Sequence, residues 1–158
     1  MYIMKKLFLL LMLLIPFTIF SQKFTIVKAT KQRWVGGRPE TGSGINYKIY
    51  LIPKMSSKKL FLDSIWLNKK VFAIDRFIIK NQYSDKFEAR DTIVILMNDH
   101  FPGKFNSPNI DTENDTIVKE VFPPIKYKGA ALIKFHTKCK TDYLIIEKFD
   151  ELQPLAYP

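Results

Sequence analysis

The sequence predicts an all-β protein, an antiparallel β-sandwich of immunoglobulin-like type, with an eight-stranded barrel or jelly roll as the alternative. Three observations carry this expectation. Short apolar stretches alternate with polar residues at a period of two, as half-buried strands do. Turn-forming residues separate them at near-regular spacing, the rhythm of a sandwich. Helical periodicity is nearly absent, which disfavours any α/β arrangement.

The elements follow in order. Residues 24–30 form a first candidate strand. Ile45, Tyr47, Ile49 and Leu51 alternate with Asn46, Lys48 and Tyr50 up to Ile52, the clearest two-faced strand of the chain, and Pro53 ends it. Residues 60–67 and 71–79 flank Asn68-Lys69-Lys70, a polar break short enough for a hairpin turn. Residues 92–97 follow Arg90-Asp91, and 116–122 follow Asn114-Asp115. Residues 130–136 and 143–148 enclose a second turn over 137–142. This gives eight candidate strands, with Trp66 as a candidate core aromatic. Two segments interrupt the rhythm. Residues 36–44 hold four of the six glycines and read as a loop outside any sheet, and residues 98–114 read as a long loop with Pro102, Gly103 and Pro108.

The front of the chain reads as an address. Lys5-Lys6, the apolar residues 7–20 and the small Ser21 stand in the order of a secretory signal. The apolar run is shorter than the roughly 20 residues of a membrane span, and Pro16 would break a helix within it. Residues 1–21 are therefore expected to be removed, leaving 22–158 as one sandwich domain with no stable membrane span. Position 22 is Gln, where a lipoprotein would carry its acylated Cys. The expected destination is the periplasm or cell envelope, with secretion as the further possibility.

Charge and composition narrow the chemistry. Lys plus Arg number 25 against 15 Asp plus Glu, and the apolar fraction is 47%, which excludes a disordered chain. The basic residues are mostly Lys and are scattered, so no nucleic-acid motif and no nucleic-acid partner are expected. Scattered Lys suits a solvated face, and attraction to polyanions is the functional alternative. Lys126, Lys128, Lys134, Lys138 and Lys140 would be the members of such a face. Arg33-Trp34 and Arg38 beside the glycine loop form a second candidate binding surface, because a flat ring with guanidinium groups recognises sugars and carboxylates. The alternative is that Trp34 plugs one end of the sandwich.

Catalytic and metal chemistry find little support. His100, His136 and Cys139 do not show zinc-site spacing. His136 and Cys139 lie three residues apart but lack an orienting third group. Cys139 itself is expected to be buried and inert, a reactive or intermolecular thiol being the alternative. Asp111, Glu113 and Asp115 alternate as hard-cation ligands can, without the rest of an EF-hand. No catalytic residue, metal or cofactor is expected.

The leader ending Phe20-Ser21-Gln22, the Trp34-Val35-Gly36-Gly37 segment and the closing Tyr143-Leu144-Ile145-Ile146-Glu147-Lys148-Phe149 together resemble the small uncharacterised exported proteins of Flavobacteria and related Bacteroidetes. Asp63-Ser64-Ile65, Asp91-Thr92-Ile93 and Asp115-Thr116-Ile117 also resemble the O-glycosylation triplet of exported Bacteroidetes proteins. That resemblance implies Ser64, Thr92 and Thr116 as attachment positions. A turn Asp followed by β-branched residues opening a strand produces the same pattern without function. The favoured reading is a non-catalytic exported binding or accessory module of the cell envelope, its partner an envelope protein or a glycan. The alternatives are a polyanion or glycan binder using the Lys-rich face or the Trp34 loop, and a small Cys/His hydrolase.

Overall fold

The period-two pattern of the second strand sets the architecture. A computed structural model describes residues 23–67, 69–103 and 122–158. In β2 (Ser43–Pro53), Tyr47, Ile49, Leu51 and Pro53 are buried, and the residues between them turn to the opposite face. β1 (Phe24–Val35) lies on one side of β2 and β7 (Ile93–Phe101) on the other, both antiparallel. The register sets Tyr47 opposite Met97, Ile49 opposite Ile95 and Leu51 opposite Ile93, so one apolar face runs across the strands.

The remaining described strands are β3 (Leu60–Leu67), β4 (Lys70–Ala73), β5 (Phe77–Ile79), β6 (Gln82–Ser84), β8 (Ala131–Thr137), β9 (Thr141–Ile146) and β10 (Asp150–Ala156). Two sheets result, with strand orders β10-β1-β2-β7-β5-β6 and β4-β3-β8-β9. Ile65, Leu67, Ala131, Ile133, Phe135, Leu144 and Ile146 of the smaller sheet meet the β2 and β7 face in a single core. Each Ile, Leu and Phe among them contributes about 1.5–3 kcal/mol by leaving water. A chain of rings links both sheets through this core. Phe24 of β1 meets Phe135 of β8 edge-on at 5.2 Å and Phe87 at 6.5 Å, and Phe87 meets Phe77 of β5 at 5.3 Å.

The all-β sandwich expected from the sequence is the observed fold, and the described strands form two open sheets rather than a closed barrel. Several details differ. The run 71–79 is not one strand: β4 belongs to the smaller sheet and β5 to the larger, and the buried Ile74 lies in the chain that passes between them. Both strands are short, and a continuous apolar run hides such a crossing. Asn98 to Phe101, read as loop, extend β7, and Ser43-Gly44, also read as loop, open β2. Gly44 is in the sheet because the Trp34 ring lies over it: a Cβ there would sit 2.6 Å from Trp34 Nε1.

β6 follows β5 through Lys80-Asn81, both at positive φ (48° and 66°), the backbone of a tight two-residue hairpin. β10 is exposed throughout and pairs parallel to the second half of β1, so the sandwich is not wholly antiparallel. Its Pro154 suits an edge strand. Trp66 is buried, yet it lies on the face of β3 opposite Ile65 and Leu67 and outside the inter-sheet core. The expected strand over 116–122 falls almost wholly outside the described residues, as do the leader and Asp111, Glu113 and Asp115.

Candidate functional site

At one end of the sandwich the inner face of the larger sheet runs beyond the apolar core and carries charge. Alternation along β1 puts Lys31 and Arg33 on the face of Ala29, and the register places them beside Tyr47 and Ile45 of β2. The facing wall comes from Trp66, Leu67 and Lys69 at the end of β3 and from Pro123, Tyr127 and Gly129 before β8. Glu147, Lys148 and Phe149, between β9 and β10, close the third side. These walls enclose an open cleft of about 740 Å³, within the size range of small-ligand sites.

The lining combines four cations, Lys31, Arg33, Lys69 and Lys148, with one carboxylate, Glu147. Four aromatic residues stand among them: the half-buried Tyr127 and Phe149, the buried Tyr47, packed edge-on against Phe149 at 5.1 Å, and the buried Trp66. The Trp66 indole N–H is buried without an acceptor, a group that normally finds one. A carboxylate from β10 reaches the same place: Glu151 lies 3.4 Å from Lys31 Nζ and 3.4 Å from Arg33 Nε. A second cleft of about 570 Å³ is lined by Lys58 and Lys86 against Asp75, Asp85 and Glu88, so it lacks the cationic excess of the first.

Burial raises the pKa of Tyr127, since a phenolate would lose water in the cleft wall. Its neutral form is thereby favoured in the folded state, and the associated stability is present below the ordinary tyrosine pKa and lost as pH climbs through the raised value. In an alkaline titration followed by phenolate absorbance, Tyr127→Phe is expected to remove one step from the region above the ordinary tyrosine pKa. A profile unchanged in that region would contradict this placement.

A buried ion pair braces the two sheets beside the cleft. Asp99 of β7 shares a cross-strand row with Arg33 and Ile45, is 6% exposed, and accepts a 2.6 Å hydrogen bond from Lys70 of β4. Lys70 also stands 5.3 Å over the Phe101 ring. Removing the ammonium strands a buried carboxylate, so Lys70→Met is expected to cost about 2 kcal/mol, below the full penalty of a buried pair because Lys70 is one-third exposed. Adding Asp99→Asn should recover most of that loss in urea denaturation; no recovery would mean the pair is not the cause.

The residues expected from the sequence are dispersed. Arg33 is in the cleft. Trp34 is on the outer face of the larger sheet, 8% exposed, stacked on His100 at 5.6 Å across Gly44 and covered by Tyr157 at 6.0 Å. It therefore does not plug the sandwich end, and its ring is not open to a ligand. Arg38 is exposed before the short 3₁₀ turn Pro39–Thr41. Lys126 and Lys128 precede β8, and Lys138 and Lys140 follow it, so seven strand residues, roughly 20 Å, separate the pairs. Lys134 pairs with Asp63 at 2.6 Å, and that hydrogen bond raises its pKa; Lys140 pairs with Asp142 at 2.9 Å.

Cys139 is exposed in the β8–β9 turn, contrary to the expected burial, because it lies beyond the paired residues of both strands. The His136 ring stacks on Phe61 at 5.0 Å. Ser64 is half-buried within β3 and Thr92 is exposed just before β7, while Thr116 is outside the described residues.

Sequence reasoning missed Lys31, Tyr47, Lys69, Lys148, Phe149 and Glu151 as one group. Alternation does place Lys31 and Arg33 on one face with Ala29, but the other members converge only through strand pairing. Among the described residues no helix is long and apolar enough to cross a membrane, and no cluster of metal-ligating side chains occurs. No protein family, curated protein or solved structure matches this chain.

Proposed function

We propose that this protein is a non-catalytic, exported binding module of the bacterial cell envelope, acting in the periplasm, and that it holds an anionic ligand in the cleft at the sandwich end. The observation that carries the reading is the cleft's composition: four cations against Glu147 in the lining and Glu151 at its edge, set among flat rings, in the part of the sandwich where the apolar core gives way. Charges alone attract any polyanion, whereas charges beside aromatic faces also orient a ligand that has apolar faces of its own. The secretory pattern of residues 1–21 supports export.

The immunoglobulin-like reading of the fold is supported by strand order. With β1, β2, β3, β4, β5, β7, β8 and β9 taken as strands A, B, C, C′, D, E, F and G, the sheets read A-B-E-D and C′-C-F-G, with β6 and β10 as additions. Folds of this kind serve mainly as scaffolds, and function is argued from the site they carry.

The test is retention on immobilised heparin and polygalacturonate at low ionic strength. Retention that is released by moderate salt and lost when Lys31, Arg33 and Lys148 are neutralised supports the reading. Absence of retention at any ionic strength contradicts it.

A further inference from the structure

We propose that Glu151 is a built-in stand-in for a ligand carboxylate, and that the ligand which displaces it is a carboxylated glycan of the uronate type. This rests on the cleft reading above and names the ligand class and the internal competitor of that site.

The geometry is that of a two-oxygen planar anion meeting two cations. One Glu151 oxygen faces Lys31 Nζ and the other faces Arg33 Nε. A guanidinium and an ammonium side by side suit a carboxylate, which offers one oxygen to each. The parallel register of β10 on β1 sets Glu151 next to Lys31, so the carboxylate is delivered by the fold rather than by chance rotamer.

The contact is also weak enough to yield. Both distances are 3.4 Å, outside the 2.7–3.2 Å range of good hydrogen bonds, and the Glu151 side chain is 53% exposed. Exposed pairs of this kind add little net stability. An incoming carboxylate therefore replaces Glu151 at small cost, while Glu151 returns to water.

The rest of the cleft selects a sugar. Tyr127 and Phe149, both half-buried, present ring surface beside the cations, and the apolar faces of pyranose rings pack on such surface.

The experiment compares wild type and Glu151→Gln for binding to polygalacturonate, dextran sulfate, neutral dextran and polyglutamate. Gln keeps the shape and removes the competing charge. The expected result is about 3- to 10-fold tighter polygalacturonate binding in Glu151→Gln, an unchanged thermal midpoint, and tighter binding of polygalacturonate than of dextran sulfate or polyglutamate by both proteins. Equal or weaker polygalacturonate binding in Glu151→Gln overturns the stand-in role. A preference for polyglutamate overturns the glycan class, and a preference for dextran sulfate overturns the carboxylate. If neither protein binds any of the polyanions, the cleft reading itself falls and takes this proposal with it.

Discussion

Replacing Lys31, Arg33 and Lys148 together with Gln is expected to weaken polygalacturonate binding by roughly 100-fold. Each exposed cation contributes about 1 kcal/mol to holding a carboxylate, and three of them make about 3 kcal/mol, where 1.4 kcal/mol is a factor of ten. All three line the same cleft, so their removal acts on one ligand site. The comparison variant is Lys58→Gln, Lys86→Gln and Lys138→Gln, which makes the same change of net charge away from it. If attraction comes from the overall excess of 25 basic over 15 acidic residues, the two triple variants lose affinity equally. If the cleft is the site, the second triple variant loses only a fewfold, and its loss vanishes first as salt is added. Calorimetric or surface-binding titration at two ionic strengths separates these results.

The largest stability effect is expected at Phe24. Its ring is fully buried and touches Phe135 of the smaller sheet and Phe87 at the edge of the core, so it ties β1 to both. Phe24→Ala removes the ring from a site where the neighbours, themselves rings held by other contacts, cannot close the gap. Such truncations cost about 3–5 kcal/mol, a large share of the 5–15 kcal/mol that typically separates folded from unfolded protein. The thermal midpoint should fall by about 15 °C for a domain of this size. Tyr83→Ala, at a ring that is 69% exposed on the edge strand β6, is expected to change stability by less than about 0.5 kcal/mol. A loss at Phe24 no larger than that at Tyr83 would contradict this packing.

Some of the core is legible in the sequence. Tyr47, Ile49 and Leu51 of β2 and Ile93, Ile95 and Met97 of β7 stand in period-two patterns, and burial on one face of a strand is a local property that spacing alone reveals. The sandwich was readable for that reason. Which strands are neighbours is not local. β4 and β5 share one apolar run and part into different sheets, and β10 has no apolar alternation because the edge it covers asks only for backbone pairing.

The site depends on that hidden pairing. Lys31 comes from the first strand, Trp66 from the third, Lys148 and Glu151 from the end of the chain, and only the stacking order brings them within one cleft. Arg33 was visible as a candidate through its position beside an aromatic residue, yet its neighbour Trp34 faces the other way. Adjacent residues of a strand point to opposite faces, so a run such as Arg33-Trp34 is two half-sites rather than one. The Lys-rich set failed as a patch by the same geometry. Lys126 and Lys128 lie before β8 and Lys138 and Lys140 after it, Lys134 between them pairs with Asp63, and Lys140 pairs with Asp142.

The most direct test is backbone amide chemical-shift mapping of the folded protein titrated with a uronate oligosaccharide. Salt-sensitive shifts are expected to concentrate at Lys31, Arg33, Tyr127, Lys148, Phe149 and Glu151. Shifts centred instead on the outer faces of the sheets or the β8–β9 turn, with the cleft residues unmoved, would contradict the proposed site.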